Sequence, residues 1–307
     1  MPLTDTVICI DVDGTLVDDH GHVHPRDVDI LSTDHRITFV LATGRLLPSL
    51  RRTLEQHRLF ADRPIPLPLV LQNGAALCRP DETLHAHDPS PGSTQTALID
   101  AMEAHRQVTY LLFDLSEVHV LWPTPLARNA IARFDLDARP FREATRHRAF
   151  TKALCIAESA QRLEPFAAAI ADLDLETSYS IPTAFDITRA GVDKGRDLTT
   201  LLAALSPGDL RIMAVGDGGN DLPLFEVADM SIAPSTSPAS IRDRADREVD
   251  TAPRGPLTPV LEIAGLNPAA GRGSLDGRAP PPAQRATMRS RRAARPRTKD
   301  ERPTNPL

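Results

Sequence analysis

The sequence predicts an α/β protein, a doubly wound parallel sheet split by an inserted α+β segment. Three observations lead there. Apolar runs of strand length alternate with segments of helical spacing up to about residue 78, and the alternation resumes after residue 189, as parallel strands with crossover helices require. Between those stretches, strand-like runs follow one another in adjacent pairs, the order of an α+β unit. Several of the apolar runs outside the insertion end in acids, hydroxyls or amides, at the strand ends where open α/β sheets bind ligands.

The elements follow in order. Residues 6–11 read as a strand, "VDDHGHVH" (17–24) as a turn within a short hairpin, and Pro25 suits the first turn of a helix reaching about Ser32. "ITFVLATGR" is a second strand, "LLPSLRRTLEQHRLF" has helical spacing, and "PLVLQNGAALC" is a third strand that breaks at Asn73-Gly74. In the insertion, a helix near 94–105 precedes the strands "VTYLLFDL" and "EVHVLW". "KALCIAE", a helix around 161–172, "LETSYS" and "AFDIT" complete it. After "RAGVDKG" come a helix in "GRDLTTLLAALS", a strand in "RIMAVGD" and a short helix in "NDLPLFEVA". A short strand in "MSIAP" and helices in "PASIRDRA" and "LTPVLEIAG" end the pattern. The expected organisation is a core of residues 1–78 and 189–265, an inserted α/β unit of 79–188, and a tail of 266–307.

Composition narrows the classes. A hydrophobic content of 41% supports a real core, built on Leu, Ile, Val and Ala because aromatics are only 4%. No apolar run approaches the roughly 20 residues of a membrane span, and the first residues lack a basic segment followed by an apolar signal region. Cys9, Cys78 and Cys155 are far apart and odd in number, which points to a reducing compartment, the cytoplasm, rather than to a disulfide framework or zinc site. Residues 266–307 hold ten Lys or Arg against three Asp or Glu, a net of +7 within a chain of −6, so the rest carries −13. An acidic body excludes a nucleic-acid-binding fold. The tail, rich in Arg, Pro, Ala and Gly and nearly empty of large apolar residues, is expected to be disordered, with non-specific contact to an anionic partner as its only route to nucleic acid.

The chemistry lies in four clusters. "VICIDVDGTL" drives a buried strand into Asp11 and Asp13. A polar turn could explain that locally. A calcium loop cannot, because it needs Gly at its sixth position and Glu at its twelfth, and counting from Asp11 places His22 at the twelfth. The second strand ends in Thr43-Gly44-Arg45, a single Lys194 opens a later helix, and "GDGGND" contributes Asp217, Asn220 and Asp221. In a doubly wound sheet these ends share one edge, so several acids, a hydroxyl and an ammonium meet in one crevice. Unpaired buried acids are costly. A divalent cation bound through oxygen would offset them, and Mg2+ fits best because it uses few carboxylates plus a substrate phosphate.

With DVDGT, ATGR, Lys194 in GVDKG and GDGGND in this order around a large insertion, the chain resembles the haloacid dehalogenase (HAD) superfamily phosphatases, and more closely the Cof-like branch, over about residues 5–265. Its "QNGA" stretch at Gln72–Ala75 resembles that branch too. The resemblance implies a Rossmann-like core with a cap inserted between the second and third motifs, and hydrolysis of a small phosphorylated metabolite through an aspartyl-phosphate. It implies Asp11 as nucleophile and Asp13 as general acid and base. Thr43 would bind a phosphoryl oxygen, and Lys194 would neutralise charge. Mg2+ would take Asp11, the backbone carbonyl of Asp13, and Asp217. Gly44, Arg45, Asn73, Asn220 and Asp221 would support the site or the substrate. One departure is "APSTSPAS", where relatives carry a Gly-Asn-Ala turn.

Two other functions remain open at this level. The aspartyl-phosphate could be passed to a sugar hydroxyl, making a phosphotransferase or phosphomutase. A non-catalytic regulator acting through the basic tail is the alternative of another class, and the intact Asp11, Asp13, Lys194 and Asp217 argue against it. His20, His22 and His24 alternate after the first motif, but no acid or Cys completes a metal site, so a solvated loop is the expectation. Arg142 and "RHRAF" give the insertion a basic cluster, read as a solvated face with contact to an anionic substrate as the sharper alternative. No dinucleotide fingerprint or phosphate loop is present.

Overall fold

The computed structural model describes residues 4–34, 36–206 and 208–266, all within one compact unit, Met1–Ala269. The tail expectation therefore falls, from residue 267 onward, outside the described residues. The chain opens with β1 (Thr6–Asp11), α1 (Pro25–Thr33), β2 (Thr38–Ala42), α2 (Leu47–Gln56) and β3 (Leu69–Leu71), followed by β4 (Ala76–Cys78) and β5 (Leu84–His87). The middle stretch holds α3 (Gly92–Ala104), β6 (Thr109–Phe113), β7 (Val118–Val120), α4 (Pro125–Phe134) and β8 (Ala138–Pro140). It continues with β9 (Lys152–Ile156), α5 (Ala160–Ala169), β10 (Leu175–Ile181) and β11 (Ala184–Arg189). The first pattern resumes with α6 (Lys194–Leu205), β12 (Arg211–Val215), α7 (Leu222–Val227), β13 (Met230–Pro234), α8 (Ala239–Arg242), β14 (Arg247–Val249) and α9 (Leu257–Ile263).

The fold is α/β, and its first sheet runs β14-β13-β12-β1-β2-β3-β4-β5. From β14 to β3 all neighbours are parallel, and only β4 and β5 turn back. Strand geometry sends alternate residues to opposite faces. Ile8 and Ile10 enter a core with Ile30 and Leu31 of α1, Leu50 and Leu54 of α2, and Val260 and Leu261 of α9. Val7 and Cys9 face Leu198 and Leu202 of α6, Leu224 and Phe225 of α7, and Ile241 of α8. A run apolar on both faces is what a central parallel strand needs. The order reverses at β1, with β2 on one side and β12 on the other, so a crevice opens at its carboxyl end.

The second sheet runs β10-β11-β9-β6-β7-β8 and is antiparallel except between β7 and β8. One face is covered by Leu98, Ile99 and Met102 of α3 and by Leu163 and Phe166 of α5. Ala127 and Ala130 of α4 join Leu111 and Phe113 on the other face, together with Leu46, which precedes α2.

Several elements depart from the sequence reading. The break read at Asn73-Gly74 in "PLVLQNGAALC" is the turn of a hairpin, because Gln72, Asn73 and Gly74 all have positive φ and the chain returns antiparallel as β4. The expected core boundary at residue 78 falls between β4 and β5, and β5 pairs with β4 in the first sheet. β5 ("LHAH") is half-exposed and carries no apolar run to betray it. α4 had a legible start, since Thr124 caps the Ala127 N–H and Pro125 occupies the first turn. Its arginines mask the apolar stripe. The helix read in "PASIRDRA" is only α8, and β14 is too short to stand out.

Asp27 of α1 is wholly buried, and its Oδ1 accepts the Leu257 N–H at 3.1 Å while Oδ2 has no partner. Burial pushes its carboxyl up to about 7, against the lowering effect of that hydrogen bond. Such a group binds its proton more tightly folded than unfolded. The stability it contributes is complete below the unfolded value near 3.8 and is lost as pH rises through about 7. Asp27→Asn, which mimics the protonated acid, is therefore expected to be more stable than wild type at pH 8 by on the order of 2 kcal/mol. The advantage should shrink toward pH 4. Urea denaturation at both pH values checks this, and an advantage independent of pH would contradict it.

Candidate active site

β1 ends at Asp11 and the chain turns at once. The Leu16 and Val17 N–H groups donate to the Asp11 and Val12 carbonyls at 3.2 and 2.7 Å, and Gly14 N–H donates to Val17 at 2.8 Å. Gly14 has φ +88°, and a Cβ there would collide with the Asp217 carboxylate. Glycine is thus required for backbone and for space, and it lets the first motif sit against the fourth. Thr15 completes that contact by donating from Oγ1 to Asp217 Oδ1 at 2.7 Å.

Beside β1, β2 delivers Thr43, fully buried. Its N–H donates to Val70 at 2.8 Å and its hydroxyl accepts the Arg45 N–H at 3.1 Å. On the other side, Asp193 caps α6 by accepting the Gly195 and Arg196 N–H groups, each at 2.8 Å. The cap fixes Lys194 in the first turn. Its side chain is 0% exposed, and Nζ donates to Asp11 Oδ1 at 2.6 Å and Asp221 Oδ1 at 2.7 Å. Asp221 Oδ2 accepts the Asp217 and Gly218 N–H groups at 3.1 and 3.0 Å. A lysine inside the fold is held there only by such pairing.

The electrostatics leave negative charge uncompensated. Burial, then the carboxylate of Asp221, push Asp11 well above the usual carboxylate range, although Lys194 pulls the other way. Burial and Asp221 push Asp217 up to about 6. For Lys194 burial works against the ammonium, and Asp11 and Asp221 more than offset it, so its pKa is raised. Oxygens of Asp11, Asp217 and Asp221 all lie within 4.8 Å of one another. Three hard oxygen donors with one buried ammonium between them suit a divalent cation such as Mg2+. Asp221 lies beside the other two acids with its own oxygens taken, Oδ1 by Lys194 Nζ and Oδ2 by the Asp217 and Gly218 N–H groups.

The Asp13 carboxylate turns elsewhere. Arg45 Nε and Nη2 donate to its Oδ2 and Oδ1 at 2.8 and 2.6 Å, and Arg45 Nη1 donates to Ser49 at 3.2 Å and Thr53 at 2.6 Å. Asp13 and Arg45 also line a 230 Å³ cavity with His20 and with Arg133 of α4.

Two further side chains reach the site from the second sheet and were not foreseen. Lys152 of β9 donates to the Gly44 carbonyl at 2.9 Å and pairs with Asp186 of β11 at 2.8 Å. Asn73, at φ 58°, donates from Nδ2 to Asp186 Oδ2 at 2.8 Å and accepts from Asn220 Nδ2 at 3.2 Å. Gly44, Asn73 and Asn220 are therefore joined through the inserted sheet. A charged residue at the head of "KALCIAE" and an acid inside "AFDIT" were the available signals, since a buried charge in a strand needs a partner.

Other candidates are not brought in. Among the described residues no cluster of possible metal ligands includes His20, His22 or His24, and His24 instead accepts the Arg26 N–H to cap α1. In the basic stretch, Arg146 pairs with Asp100 and Glu103, both at 2.7 Å.

A family model described as haloacid dehalogenase-like hydrolase matches residues 8–257. The chain belongs to this family. Among curated relatives, pyridoxal phosphate phosphatase YbhA of Escherichia coli is 24% identical over 258 residues, 80% of this chain and 93% of that one. A phosphoglycolate phosphatase of Haloarcula marismortui is 25% identical, covering 79% of this chain and 90% of its own. The HAD subclass IIB sugar phosphatase BT4131 superposes with a TM-score of 0.70 at 17% identity, covering 85% of this chain and 99% of its own. TM0651 from Thermotoga maritima gives 0.69 at 22% identity, covering 84% and 97%. The Cof-like branch inferred from the motifs is thereby supported. Among the described residues no helix is long and apolar enough to cross a membrane.

Proposed function

We propose that this hydrolase is a Mg2+-dependent phosphatase of a small phosphorylated metabolite, acting in the cytoplasm through an aspartyl-phosphate on Asp11. The observation that carries this reading is the buried Lys194 bridging Asp11 and Asp221 beside Asp217 at the switch point of the sheet. The Asp11 carboxylate attacks phosphorus, and the bond to the leaving oxygen breaks. Asp13 donates a proton to that oxygen. A water molecule then attacks the phosphoryl group, giving up its proton to Asp13, and Asp11 is released with inorganic phosphate. Lys194 orients Asp11 and offsets charge on the phosphoryl oxygens, and Thr43 offers its hydroxyl to one of them. Asp11, Asp217 and the Asp13 carbonyl would hold Mg2+, with Asp221 and Asn220 supporting them. When bound, the ion supplies electrostatic stabilisation of the phosphoryl charge.

We assign the second sheet to a cap whose Arg133 closes one wall of the cavity at Asp13. The named relatives, which act on pyridoxal phosphate and phosphoglycolate, agree with a small phosphomonoester. Three free, buried cysteines fit a reducing compartment.

A phosphate-release screen over sugar phosphates, pyridoxal phosphate, phosphoglycolate and nucleotides tests the reading. Release is expected to stop on chelation with EDTA and to return with Mg2+. Sugar-phosphate isomerisation without release would assign a mutase instead, and turnover undiminished by EDTA would contradict the metal.

A further inference from the structure

The hairpin joining β6 to β7 gathers a second set of donors, outside the carboxylate cluster of the active site. One atom each of Asp114, Glu117 and His119 lies within 4.8 Å of the other two. His119 Nε2 is 3.5 Å from Asp114 Oδ2 and 4.0 Å from Glu117 Oε2. Ligand atoms about 2.1 Å from a tetrahedral ion sit about 3.4 Å from one another, so this spacing is close to that of a formed site. The remaining carboxylate oxygens are tied off. Asp114 Oδ1 accepts the Ser116 and Glu117 N–H groups at 2.8 and 2.7 Å, and Glu117 Oε1 accepts Arg139 Nε at 2.8 Å. Bonds of that kind orient ligating atoms toward a metal.

A cation already marks the focus. Arg148 Nη1 lies 3.0 Å from Glu117 Oε2, 3.1 Å from His119 Nε2 and 3.4 Å from Asp114 Oδ2. A guanidinium only donates, so His119 must present the lone pair of Nε2 to it. The proton then sits on Nδ1, which is buried and has no hydrogen-bond partner. The His119 side chain is 4% exposed, whereas that of Arg148 is 46% exposed. A buried neutral imidazole thus aims its lone pair, with two carboxylates, at one point held by a half-exposed arginine. Beside it a cavity of 260 Å³, lined by His87, Asp114, Ser116 and Arg148, gives the guanidinium room to swing out.

We propose that Asp114, Glu117 and His119 form a second cation site, for a zinc-like divalent ion, which Arg148 occupies in competition with that ion. The mixed nitrogen and oxygen set favours a borderline metal over Mg2+. Three protein ligands leave the fourth position to water from the cavity. The site also touches the turn between β3 and β4, because Gln72 Nε2 donates to the Asp114 carbonyl at 3.0 Å.

Equilibrium dialysis against Zn2+ in excess Mg2+ tests this on the full chain carrying Asp11→Asn and Asp217→Asn, which removes carboxylates from the other cluster. One equivalent of zinc is expected to bind. Adding His119→Gln should abolish it, and Glu117→Gln should weaken it by about tenfold or more. Arg148→Ala should tighten it by about tenfold or more, because a site closed by its own arginine loses apparent affinity in proportion to the closed fraction. Glu117 and Arg148 are partly exposed, so those two variants decide the matter if His119→Gln does not fold. No zinc in the starting protein, zinc held equally by the Glu117→Gln protein, or no gain with Arg148→Ala would overturn the proposal.

Discussion

Asp11→Asn is expected to lower phosphate release by at least about 10⁴-fold, roughly 5 kcal/mol of transition-state stabilisation, while leaving the fold in place. The amide is nearly isosteric but is a poor nucleophile. Both outcomes follow from the surroundings of Asp11. It is 5% exposed at the end of the central strand, and Lys194 Nζ is 2.6 Å away, so its carboxylate is held at the strand end where an attacking group is needed. Stability should change little, because burial already opposes ionisation of this carboxyl and Lys194 keeps Asp221 as partner at 2.7 Å. Initial rates at saturating substrate and Mg2+, with circular dichroism on the same samples, measure the two together. Activity within about tenfold of wild type would remove Asp11 from the nucleophile's role.

Asp13→Asn is expected to cost about 10²–10⁴-fold on an alkyl phosphate and far less on para-nitrophenyl phosphate. An alkoxide leaves badly unless protonated as its bond breaks, whereas nitrophenolate departs without help. The pattern across leaving groups therefore carries the information. Arg45 holds both oxygens of Asp13 at 2.6 and 2.8 Å beside the cavity, so the substitution also loosens Arg45. That loosening would slow both esters alike. A loss equal on the two would thus assign Asp13 to positioning through Arg45 and count against general acid catalysis.

The sequence carried the core of this site because its signals are local. An apolar strand that ends in Asp-x-Asp-Gly, and another that ends in Thr-Gly-Arg, can be read from a dozen residues. The parallel order then brings them together without further information. Lys194 was legible as the opening residue of an amphipathic helix behind its Asp193 cap. What stayed hidden depends on contacts distant in sequence. The reach of Lys152 to Gly44 spans 108 residues, and that of Asn73 to Asp186 spans 113. A lone charge in an apolar run says that a partner is needed but not which residue supplies it. The pairing of Asp13 with Arg45 was hidden likewise, since a carboxylate two residues beyond Asp11 carries no mark of which way it turns. The edge strand β5 escaped because a half-exposed strand needs no apolar run.

The central claim is a covalent phosphoryl group on Asp11. It is tested most directly by mixing the full chain, Mg2+ and its best substrate, quenching with acid during steady turnover, reducing with borohydride and mapping peptides by mass. An acyl phosphate is reduced where a free carboxylate is not, so residue 11 is expected to be recovered as homoserine. The product should be absent without substrate and absent from Asp11→Asn. Homoserine at another aspartate, or brisk turnover with residue 11 recovered only as unmodified Asp, would contradict the account.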